Sequence, residues 1–178
     1  MTSNECAPVS VSRRIAAPAE TIFTILADPK RHLDLDGSGM VRGPVGDEVV
    51  TKLGDVFVMK MFYPRLGEYE MNNHVVEYEL NHRIGWEPEA GRGHPDAAPG
   101  SSESARWGQR WTYDLVPDGP DVTVVTESYD CSRAPESERI GMDNGRIWVE
   151  AMTATLQRLD DACTRAPEDD DQGQLTTP

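Results

Sequence analysis

The last long apolar stretch of the chain, between Gly141 and Cys163, is the feature that most constrains its fold. Apolar or small residues recur in it at steps of three and four, the spacing that places them on one face of an α-helix. They are Gly145, Trp148, Val149, Met152, Leu156, Leu159 and Cys163. The opposite face is polar and charged. A helix with one apolar face needs an apolar surface to cover it, so the rest of the chain must supply that surface.

Most of the chain before this helix shows the two-residue alternation of β-strands. A first strand is predicted over residues 9–15, and two short helices follow it, separated by the Asp28-Pro29 pair. About six more strands are predicted between residues 40 and 131, joined by turn sequences rich in glycine, proline and aspartate. Strands in consecutive order favour an antiparallel sheet. We therefore predict an α+β fold in which a curved sheet of about seven strands holds the long C-terminal helix in its concave face.

The composition indicates one globular domain. A chain of 178 residues with 38% hydrophobic and 27% charged residues is long enough for a single full core. It contains no run of about 18 apolar residues, so no membrane insertion is expected. The first residues lack the basic and apolar regions of a secretory signal. The three cysteines are widely spaced and form no metal-ligand motif, so we expect neither a disulfide framework nor a metal site, and a cytoplasmic location.

The charge distribution argues against polyanionic partners. The net charge is −14 at pH 7, and an acidic surface repels nucleic acid and anionic lipid. Part of this charge lies in the last 15 or so residues, which are acidic and poor in apolar residues. We predict a disordered N-terminus at residues 1–8, a folded domain at residues 9–163 and a disordered acidic tail at residues 164–178. Residues 90–105, rich in Gly, Pro, Ser and Ala, are predicted to form a long mobile loop.

Several local stretches, taken in this order, carry a resemblance to a known family. They are Val9 to Ile15, Ala17 to Phe23, Leu26 to Pro29, Asp36 to Gly39, Gly54 to Phe57, Trp111, Val125 to Glu127 and the C-terminal helix. Together they resemble the START-like superfamily, also called SRPBCC, which has the helix-grip fold and includes polyketide cyclase/dehydrase-like proteins and the birch pollen allergen group. The resemblance implies an internal cavity between the sheet and the long helix. Members of the superfamily bind lipids, sterols, polyketides or plant hormones there, so the fold alone does not select one function.

The inward faces of the strands and the first half of the helix are expected to line that cavity. The candidate ligand-binding residues are Phe57, Met59, Met61, Trp86, Trp107, Trp111, Tyr113, Trp148 and Met152. Aromatic and methionine side chains suit an adaptable apolar site. The alternative is a filled core, in which the same side chains only pack against each other.

Polar residues that could carry chemistry are fewer. The candidate catalytic residues are His32, His74, Tyr113 and Asp143, whose side chains can exchange protons or hold a ligand oxygen. His82 and His94 lie in a turn and a loop and are expected to face water. No spacing matches a nucleophile elbow, a phosphate-binding loop, a dinucleotide site or a metal site, so no cofactor is expected.

Three functions are compatible with these features. The first is binding of a hydrophobic small molecule of the polyketide, lipid or isoprenoid type in the cavity. The second is a polyketide cyclase or dehydratase that uses acid–base groups in the same cavity, which an inward pair of His with Tyr or carboxylate would favour. The third is an interaction domain of the chaperone-regulator type, which a closed cavity and a large exposed apolar patch would favour.

Overall fold

The structure is a computed structural model that describes residues 6–97 and 106–165. Most of the predicted acidic tail, the first five residues and the second half of the predicted 90–105 loop lie outside the described residues. The disorder predicted for both ends and the mobility predicted for that loop stay predictions there.

The described residues form seven strands and four α-helices. The strands are β1 (Val9–Ile15), β2 (Val41–Val45), β3 (Val56–Tyr63), β4 (Gly67–Glu79), β5 (Arg83–Ala90), β6 (Arg110–Pro117) and β7 (Thr123–Asp130). The helices are α1 (Ala19–Leu26), α2 (His32–Leu35), α3 (Glu136–Gly141) and α4 (Val149–Thr164). Two 3₁₀ segments, Pro29–Arg31 and Asp143–Trp148, precede α2 and α4.

The strands form one antiparallel sheet in the order β1-β7-β6-β5-β4-β3-β2. Strands β2 to β7 are neighbours in chain order, and β1 pairs with β7. The register places Glu127 of β7 between Val11 of β1 and Tyr113 of β6. The long C-terminal helix, α4, packs against the concave face of this sheet. The predicted α+β, helix-grip fold is therefore confirmed, including the two short helical segments after β1.

A filled hydrophobic core lies under the C-terminal half of α4. Leu156 and Leu159 are fully buried there and pack in one cluster with Ile15, Ile22 and Leu26. Burial of such aliphatic side chains is the main favourable contribution to folding, roughly 1.5–3 kcal/mol for each. This end of the helix–sheet interface therefore holds the fold together.

The long helix begins later than its sequence period indicates. The predicted helix starts near Gly141, but α4 starts at Val149 because the backbone takes the left-handed conformation at Asp143, Asn144 and Gly145. Such a run cannot continue a right-handed helix. At Gly145 a side chain is also excluded by space, since a Cβ atom there would lie 2.7 Å from the Tyr129 ring. The apolar period is real, but the chain bends within it.

Among the described residues, no helix combines the length and the apolar composition that crossing a membrane requires.

Candidate functional site

A cavity of about 530 Å³ lies between the sheet and the N-terminal half of α4. Its wall is formed by β3 to β7, the segment after α2 and α4 itself. All four tryptophans of the protein and six of its seven methionines line it. The tryptophans are Trp86, Trp107, Trp111 and Trp148, and the methionines are Met40, Met59, Met61, Met71, Met142 and Met152. Volumes of about 300–1,000 Å³ with mainly apolar walls are typical of small-molecule sites.

The nine residues predicted to bind a ligand all lie in this wall. They are Phe57, Met59, Met61, Trp86, Trp107, Trp111, Tyr113, Trp148 and Met152. The strand alternation explains this result: on β3, for example, Met59 is buried while its neighbour Lys60 is exposed. Between a filled core and an open cavity, the structure thus has the open cavity at this end of the sheet. That these residues bind a ligand stays a prediction.

A buried carboxyl group, Glu127 on β7, is the most polar part of the wall. Its side chain is inward, and the residue is only 3% exposed. The Tyr113 hydroxyl donates a hydrogen bond to Oε1 of Glu127 at 2.9 Å. The other oxygen, Oε2, is buried without a hydrogen-bond partner among the described residues. An unpaired buried oxygen is costly when charged, and it is a natural position for a proton or for a ligand group.

Burial determines the protonation of this pair. It raises the pKa of Glu127 to about 8, the hydrogen bond from Tyr113 opposes the rise, and the negative charge of Asp36 adds to it. Burial also raises the pKa of Tyr113 well above its ordinary value, with Glu127 as the second cause, so the phenol keeps its proton. At neutral pH Glu127 is therefore mainly a neutral acid. Because Oε1 already accepts from Tyr113, its proton belongs on Oε2.

His32, at the start of α2, also faces the cavity. Its ring stacks on Trp86, with centroids 5.4 Å apart, and meets Phe57 edge-on at 5.5 Å. The ring nitrogen Nε2 lies 2.8 Å from the Leu26 carbonyl, which can only accept, so Nε2 carries the proton and Nδ1 is left as an acceptor. Burial lowers the pKa of His32, which keeps the imidazole neutral. His32 therefore brings a base, not a cation, to the cavity.

His94 corrects one expectation. It was expected to face water, but it lies in the cavity wall with its side chain only 12% exposed. Its ring contacts Tyr69 and Trp107, each with a centroid distance of 5.2 Å. The segment after β5 thus folds over one end of the cavity, which loop composition alone does not reveal.

Two of the four candidate catalytic residues are not brought to the cavity. His74 of β4 lies on the outer face of the sheet, where its ring is paired with Glu89 of β5. Asp143 lies in the bend before α4, is exposed, and pairs with Arg146. His32 and Tyr113 are the two candidates that line the cavity.

Glu127 is not among the site residues predicted from the sequence, although its position on β7 carries a signal. Val125, Glu127 and Tyr129 alternate along β7, and two apolar inward residues flank the carboxyl. A charged residue in the buried phase of a strand is unusual and deserves a functional explanation.

Comparison with known proteins finds relatives in sequence and relatives in fold. No model of a known protein family matches the chain. The chain is 33% identical over 167 residues to the uncharacterized protein Rv0088 of Mycobacterium tuberculosis, in an alignment that covers 88% of this chain. It spans 64% of the length of that relative.

Two solved structures illustrate the likeness of fold. Norcoclaurine synthase from Thalictrum flavum, in complex with dopamine and hydroxybenzaldehyde, matches with a TM-score of 0.56 at 18% identity, over 88% of this chain and 85% of that one. The Aha1 dimer from Colwellia psychrerythraea matches with a TM-score of 0.54 at 15% identity, over 88% of this chain and 96% of that one. At such identities the likeness is one of fold, and the shared fold is the helix-grip fold.

Proposed function

We propose that this protein binds a hydrophobic small molecule, of the polyketide, lipid or isoprenoid type, in the cavity between the sheet and α4. The observation that carries the proposal is the wall itself, in which the tryptophans and nearly all the methionines of the chain are gathered around one space of about 530 Å³. Indole rings offer large apolar surfaces, and methionines adapt their shape to irregular ligands. A core built only for stability has no reason to collect them around open space.

The solved structures support this proposal by analogy. The norcoclaurine synthase structure holds dopamine and hydroxybenzaldehyde, both small molecules with an aromatic ring. A START-like fold can therefore hold such molecules. The interaction-domain alternative has less support, because its expected sign was a closed cavity and the cavity here is open.

Native mass spectrometry of the protein purified from its own host is the first test. A bound apolar molecule would give the chemical class of the ligand directly. In parallel, the neutral dye Nile red serves as a probe whose fluorescence rises in an apolar site.

Two variants on one strand make this test specific. Met61 lines the cavity and its neighbour Lys60 is exposed on the opposite face of β3. Met61→Trp is expected to fill part of the cavity and to weaken Nile red binding by about tenfold or more, whereas Lys60→Trp adds the same ring outside and leaves binding unchanged. Equal binding by both variants would mean that the probe does not enter the cavity.

Acid–base catalysis on a bound polyketide is the second candidate function. The Tyr113–Glu127 hydrogen bond is an inward phenol–carboxyl pair, and not the expected pair of His with Tyr or carboxylate. His32 adds a neutral imidazole in the same wall. Cyclisation or dehydration of a poly-β-ketone needs a proton acceptor for a C–H bond and a proton donor for a carbonyl oxygen. His32 Nδ1 and the Glu127 carboxyl have these two capacities.

Deuterium exchange tests the enzymatic candidate. The probe is the neutral diketone 1-phenyl-1,3-butanedione in D₂O, whose α-hydrogens exchange when the carbonyl is enolised. The protein is expected to accelerate this exchange over buffer, and His32→Gln to remove the acceleration while Nile red still binds. Exchange at the buffer rate with the diketone bound would leave a binding protein without this catalysis.

A further inference from the structure

The charges around the cavity have one sign. None of the described residues that line it is a lysine or an arginine, whereas four are acidic: Asp36, Asp96, Glu127 and Glu138. A carboxylate or phosphate ligand would lose its water in such a cavity without gaining a cationic partner. Anionic ligands are therefore disfavoured, which bears on a free fatty acid as one of the possible ligands.

The Asp36 carboxylate lies in the cavity wall and is held there by hydrogen bonds. Its Oδ1 accepts hydrogen bonds from the backbone N–H and the hydroxyl of Ser38, and its Oδ2 accepts from the backbone N–H of Val41. These bonds use both carboxylate oxygens and hold Asp36 in place. Its charge acts on the interior, since it disfavours a second negative charge on Glu127.

Glu127 is different, because one of its oxygens is buried without a hydrogen-bond partner in the described part of the chain. Tyr113 on β6 donates to Oε1, and Val11 on β1 is its apolar neighbour in register. The titratable groups that face the same cavity nearby are Tyr113, Asp36 and His32. Among the residues described, no donor or acceptor reaches Oε2. A hydrogen-bond partner for Oε2 must therefore come from outside the described residues.

We propose that Glu127 anchors the ligand through a hydrogen bond from its protonated Oε2 to a carbonyl or hydroxyl oxygen, so that the cavity selects neutral oxygen-bearing apolar molecules over carboxylates. This proposal rests on the proposed binding function and deepens it. Among the three ligand types, it favours ketones and neutral terpenoids or polyketides over fatty acids. Tyr113 is a positioning residue in this arrangement, since its hydroxyl occupies Oε1 and leaves Oε2 for the ligand.

Four naphthalene probes of similar size separate the possible ligand chemistries. 2-Acetylnaphthalene is neutral and has an acceptor oxygen, 2-ethylnaphthalene lacks the oxygen, 2-naphthoate is an anion and 2-(aminomethyl)naphthalene is a cation. The wild-type protein at about pH 6 is expected to bind the ketone about tenfold more tightly than the ethyl compound and to bind the naphthoate more weakly than either. Displacement of Nile red or quenching of the cavity tryptophans measures all four.

Two variants and a pH series assign the ketone preference to Glu127. Glu127→Gln keeps an N–H donor for the ligand, so it is expected to keep the preference at every pH. Glu127→Leu removes the donor and is expected to bind both neutral probes equally. In the wild-type protein the preference is expected to disappear by about pH 10, when the carboxyl has lost its proton.

The outcomes separate the two proposals. If the neutral probes bind but the ketone has no advantage, or if the naphthoate or the ammonium probe binds best, the anchor proposed for Glu127 is wrong and the binding function stands. If the preference persists at about pH 10 in the wild-type protein, the donor is another group. If none of the four probes binds, the binding function proposed for the cavity falls as well.

Discussion

The two ends of the interface between α4 and the sheet are built differently. At the C-terminal end, Leu156 and Leu159 are fully buried against Ile15 and Ile22. At the N-terminal end, α4 faces the cavity, with Met152 in its wall. One helix thus contributes a filled core along one half and an open site along the other. The comparison teaches that a filled core and an open cavity can lie side by side along a single helix.

On the sheet, the change from filled core to cavity wall occurs within single strands. Along β7, Val125 is fully buried in the filled core, and the next inward residue, Glu127, is already in the cavity wall. On the paired strand β6, Leu115 belongs to the core and Tyr113 to both. The filled core and the cavity wall are therefore two residues apart on these strands. Two residues is the spacing of successive inward positions on a strand.

Replacing Glu127 is expected to have the largest effect. It should change how the free energy of unfolding depends on pH. The folded protein keeps the Glu127 proton up to about pH 8, whereas the unfolded chain releases it near its ordinary pKa of 4.5. In this window the folded state binds more protons, so the stability of the wild-type protein falls as pH rises. Relative to Glu127→Gln, the loss is expected to be about 1.4 kcal/mol per pH unit and roughly 5 kcal/mol in all.

Urea unfolding of both proteins at about pH 5, 6, 7, 8, 9 and 10 measures this difference. The difference should stop growing above about pH 8, when both states have released the proton. Parallel pH profiles for the two proteins would mean that Glu127 is ionised in the folded state, and the cavity would then be more polar than its wall indicates.

Truncation in the filled end should cost nearly as much. Leu156→Ala removes a fully buried side chain from the main core, and such changes typically cost about 2–5 kcal/mol. Binding of Nile red per folded molecule is expected to stay unchanged, because Leu156 is not part of the cavity wall. A loss of binding as large as the loss of stability would show that the two ends are coupled.

Gly37 tests the boundary between the ends. A Cβ atom at Gly37 would lie 2.0 Å from the Ala151 carbonyl oxygen, in the backbone of α4, and the Gly37 N–H donates to Thr155 Oγ1 at 3.0 Å. Gly37→Ala is therefore expected to push the segment after α2 away from α4 and to cost about 1–3 kcal/mol in urea unfolding.

Gly39→Ala is the matched control, two residues further along the same segment. Gly39 has a positive φ of 72° but no atom within 4 Å of its Cβ position, so only conformational strain of about 1 kcal/mol is expected there. Equal costs for both variants would mean that the contact between Gly37 and α4 is not tight.

The fold was predictable because its signals are local and repeated. Alternation identified the strands, and the phase of Phe57, Met59 and Met61 identified an inward face. The predicted start of α4 was wrong, because the apolar period runs through Gly145 and Trp148. The bend there depends on backbone conformation and not on that period. The sequence Asp-Asn-Gly is a signal for that bend, since these residues accept left-handed φ values.

The candidate site was predictable in its wall and not in its chemistry. The aromatic and methionine residues follow from strand phase, but whether they meet around open space depends on how side-chain volumes add up across the sheet and helix. Glu127 is not among the predicted catalytic residues, because those were selected by residue type, and residue type favours histidine. The side of the strand on which a residue lies is a better criterion than its type. Glu127 is on the inward side of β7, whereas His74 is on the outer face of β4.

Truncation in the open end should have the smallest effect on stability. Met61 is half-buried in the cavity wall, so Met61→Ala enlarges a space that already exists and leaves few packed neighbours without contacts. The free energy of unfolding is expected to fall by less than about 1 kcal/mol, compared with about 2–5 kcal/mol for Leu156→Ala. Urea unfolding of both variants measures the contrast. If Met61→Ala lowers the free energy of unfolding as much as Leu156→Ala does, the cavity wall stabilises the fold as strongly as the filled core. The separation between a filled end and an open end would then not hold.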